Sequence, residues 1–258
     1  MRITIIGPAY PFRGGIAHHV YWLRRELTAR GHTAQVVSFR TLYPKFLFPG
    51  KTMLDRSEKK LDAGAVAILN PLNPMTWREA RRAIKGFAPD LALVEWWHTF
   101  FSPALGSLVR GLKRSGIRLA VECHNILPHE RRWIDRRLAS YTFSPVDNFI
   151  THSNADREDL LRLMPGKRVE VAYLPTFTEF TAVKESARDG RTILFFGIVR
   201  KYKGLDVLLR AMPRVLARVD CKLRIVGEFY EPVETYLQII RERGLESSVE
   251  VVNRYVAN

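Results

Sequence analysis

Phe195-Phe196-Gly197-Ile198-Val199-Arg200-Lys201-Tyr202-Lys203-Gly204, running on into Leu205-Asp206-Val207-Leu208-Leu209, is the stretch that decides the architecture. Thr192 to Phe196 is an apolar run that reads as a buried strand ending at Gly197. From Leu205, apolar residues recur at Leu208, Leu209 and Met212, the spacing of an amphipathic helix. Arg200 and Lys203 therefore fall in the loop that leaves the carboxyl end of a strand and enters a helix, where open parallel sheets bind ligands. Two cations three residues apart, beside a helix N-terminus with free N–H groups, suit a diphosphate. A solvated basic turn has the same composition, and the spacing alone leaves both readings open.

Outward from this stretch, short apolar runs alternate with helical patterns. Strands are expected at Arg2–Ile6, Ala34–Ser38, Ala65–Ile68, Leu91–Glu95, Arg118–Glu122, Asn148–Thr151 and Val169–Tyr173. Helices are expected at Ile16–Ala29, Thr76–Phe87, Pro103–Arg114 and Ala155–Leu163. Runs that are apolar throughout are buried on both faces, which implies a parallel sheet flanked by helices, a doubly wound α/β pattern. Leu174–Arg191, with Pro175, several Thr residues, a charged patch and Gly190, breaks the rhythm and reads as a linker. Beyond it the alternation restarts, with strands at 192–196, 222–226 and 248–252 and helices at 203–217 and 232–243. We therefore expect two Rossmann-like α/β domains, 1–183 and 184–258, the second cut off partway.

Composition narrows the function. The 258 residues are 47% hydrophobic and 26% charged, enough for a substantial core and against disorder. A net charge of +15 implies an anionic partner, either a nucleotide diphosphate, an anionic lipid surface or nucleic acid. The cations are dispersed in pairs such as Arg24-Arg25, Arg81-Arg82 and Arg136-Arg137, with no uninterrupted basic arm, and solvated helix faces account for most of them. Cys123 and Cys221 have neither metal-ligand spacing nor the pattern of a disulfide framework. No signal-peptide core or membrane-length apolar stretch occurs, so the expected location is the cytoplasm. Peripheral contact with the inner membrane surface is an additional expectation, because Arg40–Lys60 mixes Leu42, Tyr43, Phe46, Leu47 and Phe48 with Arg40, Lys45 and Lys51. An ordinary loop over the core fits that segment too.

Gly14-Gly15 follows the first strand and precedes a helix, so backbone N–H groups there can face a phosphate or a sugar. No glycine lies between Gly7 and Gly14, so the G-x-G-x-x-G fingerprint of nicotinamide-dependent enzymes is absent. His124 sits at the carboxyl end of the Arg118–Glu122 strand, on the ligand-facing edge. His18 and His19 are adjacent on a helix and diverge by about 100°, which argues against one shared metal ion. Trp97 ends the Leu91–Glu95 strand, where stacking on a sugar and core packing are both open to it.

The motifs carry a resemblance. Gly197-x-x-Arg200-x-x-Lys203-Gly204 with Asp206-Val207-Leu208-Leu209 resembles the donor-phosphate motif of retaining glycosyltransferases of the GT-B fold, family 4. Gly7-Pro-Ala-Tyr-Pro-Phe-Arg-Gly14-Gly15-Ile16-Ala17-His18-His19 is similar to that family's glycine loop, and Glu122-Cys123-His124-Asn125 to its histidine-bearing strand end. The resemblance implies transfer of a hexose from a nucleotide diphosphate sugar to a glycan, lipid-linked or small-molecule acceptor. It also implies retained configuration, no metal and no cofactor beyond the donor. It implies further that His124 lies beside the transferred sugar and that Arg200 and Lys203, with the Gly14-Gly15 backbone, hold the diphosphate. Gly197, Gly227 and Glu228 would border the nucleotide, and Arg13, His18, Trp97, Asn125 and His129 the acceptor. The family's carboxylate motif, two Glu separated by seven residues, is not reached before Asn258. The alternative is accordingly a module that binds nucleotide sugar or acceptor without turnover; a nucleic-acid protein fits the charge but not the strand-end glycine loops.

Overall fold

The computed structural model describes residues 1–44, 48, 50, 52–58, 60–128, 133–176 and 189–256. It divides into two compact units, Met1–Lys45 with Met53–Pro175, and Phe46–Thr52 with Thr176–Asn258. Most of the expected linker, 177–188, lies outside the described residues. Among the described residues no helix is long and apolar enough to cross a membrane.

The first unit is a seven-stranded sheet built from β1 (Arg2–Ile6), β2 (Thr33–Phe39), β3 (Val66–Leu69), β4 (Leu91–Trp96), β5 (Arg118–Cys123), β6 (Asn148–Thr151) and β7 (Arg168–Val171), in the order β3-β2-β1-β4-β5-β6-β7. Every pairing is parallel. Successive residues feed opposite cores. Ile5 and Val36 pack in one apolar cluster, Ile6 and Val37 in the other, so the sheet is buried on both faces as continuous apolar runs require. Helix α1 (Gly15–Ala29) supplies Val20 to the smaller cluster, and α2 (Pro74–Phe87) and α3 (Ser102–Arg114) supply Ile84, Leu105 and Leu108 to the larger. Asn73 and Ser153 cap α2 and α5 (Asn154–Leu163) through their side chains, each accepting from a first-turn N–H.

One helix escapes sequence reading. In α4 (Trp133–Phe143), Trp133, Ile134 and Tyr141 are exposed, while Asp135 and Thr142 are buried. Thr99 Oγ1 donates to Asp135, and Ser102 Oγ lies 2.7 Å from Thr142 Oγ1, so polar contacts join α4 to the core where an apolar stripe would be sought.

The second unit carries β8 (Thr192–Phe196), α6 (Leu205–Leu216), β9 (Lys222–Val226), α7 (Val233–Glu242) and β10 (Val249–Val252), with parallel strands in the order β10-β9-β8. Here the sheet departs from expectation. Burial alternates along β8 and β9, so one face packs on Leu205, Leu209, Met212, Ile239 and Ile240, while the other has no such cover among the described residues. Leu194 and Phe196 remain 59% and 65% exposed.

Of the two readings of Arg40–Lys60, Leu42 and Tyr43 follow the loop over the core. Leu42 is buried, and Tyr43 packs on the larger cluster and accepts a hydrogen bond from Trp97 Nε1 at 3.0 Å, so neither faces a membrane. Lys45, Phe46, Leu47 and Lys51 lie outside the described residues.

Candidate functional site

Strand β1 lies between β2 and β4, so the winding of the sheet reverses there and the carboxyl ends of β1 and β4 frame a crevice. The loop leaving β1 begins at Gly7. A Cβ on Gly7 would stand 2.5 Å from Glu95 Cγ and 2.9 Å from Glu95 Cβ, so glycine makes room for a glutamate inside the sheet edge. Gly7→Ala should lower unfolding free energy by about 1–3 kcal/mol, the usual effect of overpacking, read as a shift in the urea midpoint at unchanged slope.

Glu95 and Glu122 are neighbours in the β4–β5 register, and both are buried. Three histidines surround them. His124 Nε2 lies 2.6 Å from Glu95 Oε2, His19 Nε2 lies 2.9 Å from Glu122 Oε1, and His152 Nε2 lies 3.6 Å from that same oxygen. The His19 contact is a close ion pair aligned off the hydrogen-bond direction. The His19 ring stands edge-on to His124, centroids 5.4 Å apart, and the backbone N–H of His124 donates to Trp96 O at 2.8 Å.

Burial, then the neighbouring Glu122 charge, pushes the Glu95 carboxyl well above the usual carboxylate range. Burial, then the positive His19, lowers His124 to about 4. Burial opposes the charged form of His19, but its contact with Glu122 and the charges of Glu95 and Glu122 raise it overall. Burial likewise opposes ionisation of Glu122, yet its contact with His19 and the attraction of the surrounding imidazoles hold it below the usual range. The cluster therefore resolves into a charged pair, His19 with Glu122, and a neutral pair, His124 with Glu95.

His19, Glu95 and His124 each offer a ligand atom within 4.8 Å of the others, a donor set that zinc accepts in principle. The 2.6 Å between His124 and Glu95 is a hydrogen-bond separation, however, shorter than the roughly 3.3 Å between neighbouring ligands around tetrahedral zinc. The residues fit a proton-linked network better than an ion.

The two neutral partners pull stability in opposite directions as pH falls. Below pH 6.5 the unfolded chain protonates His124 while the fold does not, a loss of about 1.4 kcal/mol per unit down to about pH 4. The raised Glu95 carboxyl takes up its proton at higher pH in the fold than in the unfolded chain, a gain of opposite sign as pH falls toward 4.5. Glu95→Gln removes the gain and leaves the loss. Its urea midpoint should therefore fall on acidification from pH 6.5 to 4.5 more steeply than that of the parent protein; equal slopes would contradict the paired assignment.

Helix α1 starts behind Gly14 with no side-chain cap and no acidic residue in its first turn. In the second unit α6 starts behind Gly204, also without a side-chain cap. Arg200 precedes a short 3-10 turn, Lys201–Lys203, and its guanidinium carbon lies 5.3 Å from the Tyr230 ring centroid. Lys203 is exposed, with Nζ 3.5 Å from where a Gly197 Cβ would stand. Neither Arg200 nor Lys203 is held in an ion pair among the described residues.

The remaining expected residues divide. Gly227 approaches Gly197 so closely that a Cβ on it would stand 1.9 Å from Gly197 O, which ties both glycines to strand packing. Glu228 is buried, and its carbonyl accepts from Val199 N at 2.9 Å. Arg13 is half-buried and its N–H donates to Met53 O; His18 pairs with Asp55 at 3.8 Å, away from His19. Asn125 follows His124 and is half-buried. Of its two open roles Trp97 takes core packing: partly buried, it packs on Phe39 and Phe101 against the larger cluster. His129 lies outside the described residues. Sequence reasoning missed the grouping of Glu95, Glu122, His19 and His152. Its signal was present, a lone glutamate one residue before the end of two strands whose preceding three residues are apolar.

Glycosyltransferase Family 4 matches residues 13–179, and Glycosyl transferases group 1 matches residues 190–257. The chain belongs to glycosyltransferase family 4. No curated protein sequence matches this glycosyltransferase. Among solved structures it is similar to the catalytic domain of starch synthase IV from Arabidopsis thaliana bound to ADP and acarbose, at 12% identity and TM-score 0.63, covering 99% of this chain and 74% of that one. An alpha-glucosyltransferase in complex with UDP and a DNA 13-mer containing an HMU base gives 13% identity, TM-score 0.65 and coverage of 99% and 68%. UDP-GlcNAc 2-epimerase from Neisseria meningitidis bound to UDP-GlcNAc gives 12%, 0.59, and 99% and 73%. At such identities the likeness fixes the GT-B fold alone.

Proposed function

We propose that this glycosyltransferase moves a hexose from a nucleotide diphosphate sugar to a glycan, lipid-linked or small-molecule acceptor, with retained configuration. The observation that carries the reading is the pair Arg200 and Lys203, held in no ion pair among the described residues, at the carboxyl end of β8 and beside the uncapped N-terminus of α6. As the sugar–phosphate bond loosens, positive charge grows on the sugar and negative charge on the leaving diphosphate. The two cations and the helix N-terminal N–H groups stabilise that leaving group without a metal. The uncapped start of α1, behind Gly14, supports a second anion contact. His124 supports the sugar by hydrogen bonding and is not a nucleophile. We place the reaction in the reducing cytoplasm, a reading that the buried free thiols of Cys123 and Cys221 support.

Calorimetry with UDP, GDP and ADP, run beside a donor-hydrolysis and transfer assay, tests this. One nucleoside diphosphate should bind with 1:1 stoichiometry, and its hexose conjugate should be turned over. Binding without turnover would leave a nucleotide-binding module, and no binding would end the reading.

A further inference from the structure

His124 and Glu95 share one short contact. Nε2 of the imidazole lies 2.6 Å from Oε2 of the carboxyl, and Glu95 is fully buried. Its other oxygen, Oε1, has no hydrogen-bond partner among the described residues. A contact of this length carries one proton, and two arrangements satisfy it. A carboxylate could accept from Nε2–H, or a carboxyl could donate to a bare Nε2. The first leaves Oε1 anionic, unsolvated and unpaired beside the second carboxylate, Glu122. The second leaves it a neutral carbonyl oxygen, a far smaller desolvation penalty. The cationic His19 is in direct contact with Glu122, 2.9 Å away, and not with Glu95.

We propose that Glu95 is a positioning acid whose carboxyl proton is donated to His124 Nε2, which locks the imidazole in its Nδ1–H tautomer. His124 then meets the transferred sugar as a hydrogen-bond donor to an oxygen lone pair, and it cannot act as a base. The inference rests on the reading that His124 lies beside that sugar. The raised Glu95 and lowered His124 agree with the proton placement. Gly7, which leaves room for Glu95 at the end of β4, belongs to the same device.

The test is the nitrogen spectrum of the full chain labelled with 15N-histidine at pH 7, His124 being assigned by the line lost in His124→Asn. Nδ1 should have the shift of a protonated nitrogen and Nε2 that of a bare one. A protonated Nε2, alone or together with Nδ1, overturns the proposal. So does a His124 line that moves on chelation with EDTA, since it would assign the contact to a metal. Glu95→Gln keeps a donor at this place and should keep the tautomer; Glu95→Leu removes it and should release the Nε2–H form. Glu95→Leu should lower kcat by about 10- to 100-fold at unchanged donor KM, with Glu95→Gln restoring most of it. Equal losses in both variants would count against positioning through the proton. The parent spectrum decides even where the Leu variant fails to fold. Absence of any sugar transfer by the parent protein would instead sink the glycosyl-transfer reading and leave the tautomer standing.

Discussion

Lys203→Ala is expected to lower turnover about 10²- to 10³-fold, the loss that follows removal of one donor aimed at developing charge. Lys203 is exposed and holds no ion pair among the described residues, so its removal leaves nothing buried unsatisfied and the unfolding midpoint should not move. The loss should fall on kcat, because the charge it meets grows as the sugar–phosphate bond breaks. Lys201→Ala is the matching control. Its side chain is exposed and its backbone N–H donates to Glu231, so it removes the same net charge from the same loop. Steady-state kinetics on the two variants separates a placed cation from a general basic field; equal losses would dissolve the diphosphate assignment.

Gly227→Ala is the largest expected structural effect. Gly227 has φ +154°, and an added Cβ would stand 1.9 Å from Gly197 O and 2.7 Å from its carbonyl carbon. Both atoms are backbone at the end of β8, so no rotamer can relieve the clash. Strain in a glycine-only region and overpacking together come to about 4 kcal/mol. A unit with a three-stranded sheet has little margin against that. All five tryptophans, Trp22, Trp77, Trp96, Trp97 and Trp133, lie in the first unit, so their fluorescence reports that unit alone. In Gly227→Ala, circular dichroism should lose amplitude at low urea while tryptophan emission unfolds at the parent midpoint. Coincident, unshifted transitions would show that the clash is absorbed.

The architecture was legible because continuous apolar runs and helical spacing report local burial, which is what periodicity measures. All seven strands of the first sheet and its helices other than α4 lie within a few residues of expectation. Helix α4 was hidden because Asp135 and Thr142 share its buried face with Ala139 and Phe143 while Trp133 lies outward, which blurs the apolar stripe. Strand β8 misled in the opposite way, since Leu194 and Phe196 read as core. Arg200, Lys203 and Gly14 were singled out from their motifs and the family resemblance, whereas the Glu95–His124 and His19–Glu122 pairs were not legible. Pairing depends on which strands become neighbours, and β4 and β5 meet only after α3 has crossed between them. Two histidines adjacent in sequence, His18 and His19, were correctly separated by helix geometry, yet only the fold showed which one turned inward.

The exposure of Leu194 and Phe196 on β8 has a colloidal consequence. A net charge of +15 holds copies of the chain apart in dilute buffer, where the screening length is several times a side chain. Near physiological ionic strength that length shrinks to about 8 Å, and apolar side chains such as Leu194 and Phe196 can come within contact range of another copy before repulsion is felt. The second virial coefficient should therefore change sign from positive to negative as salt is added. Phe196→Lys would restore mutual repulsion without disturbing a buried contact.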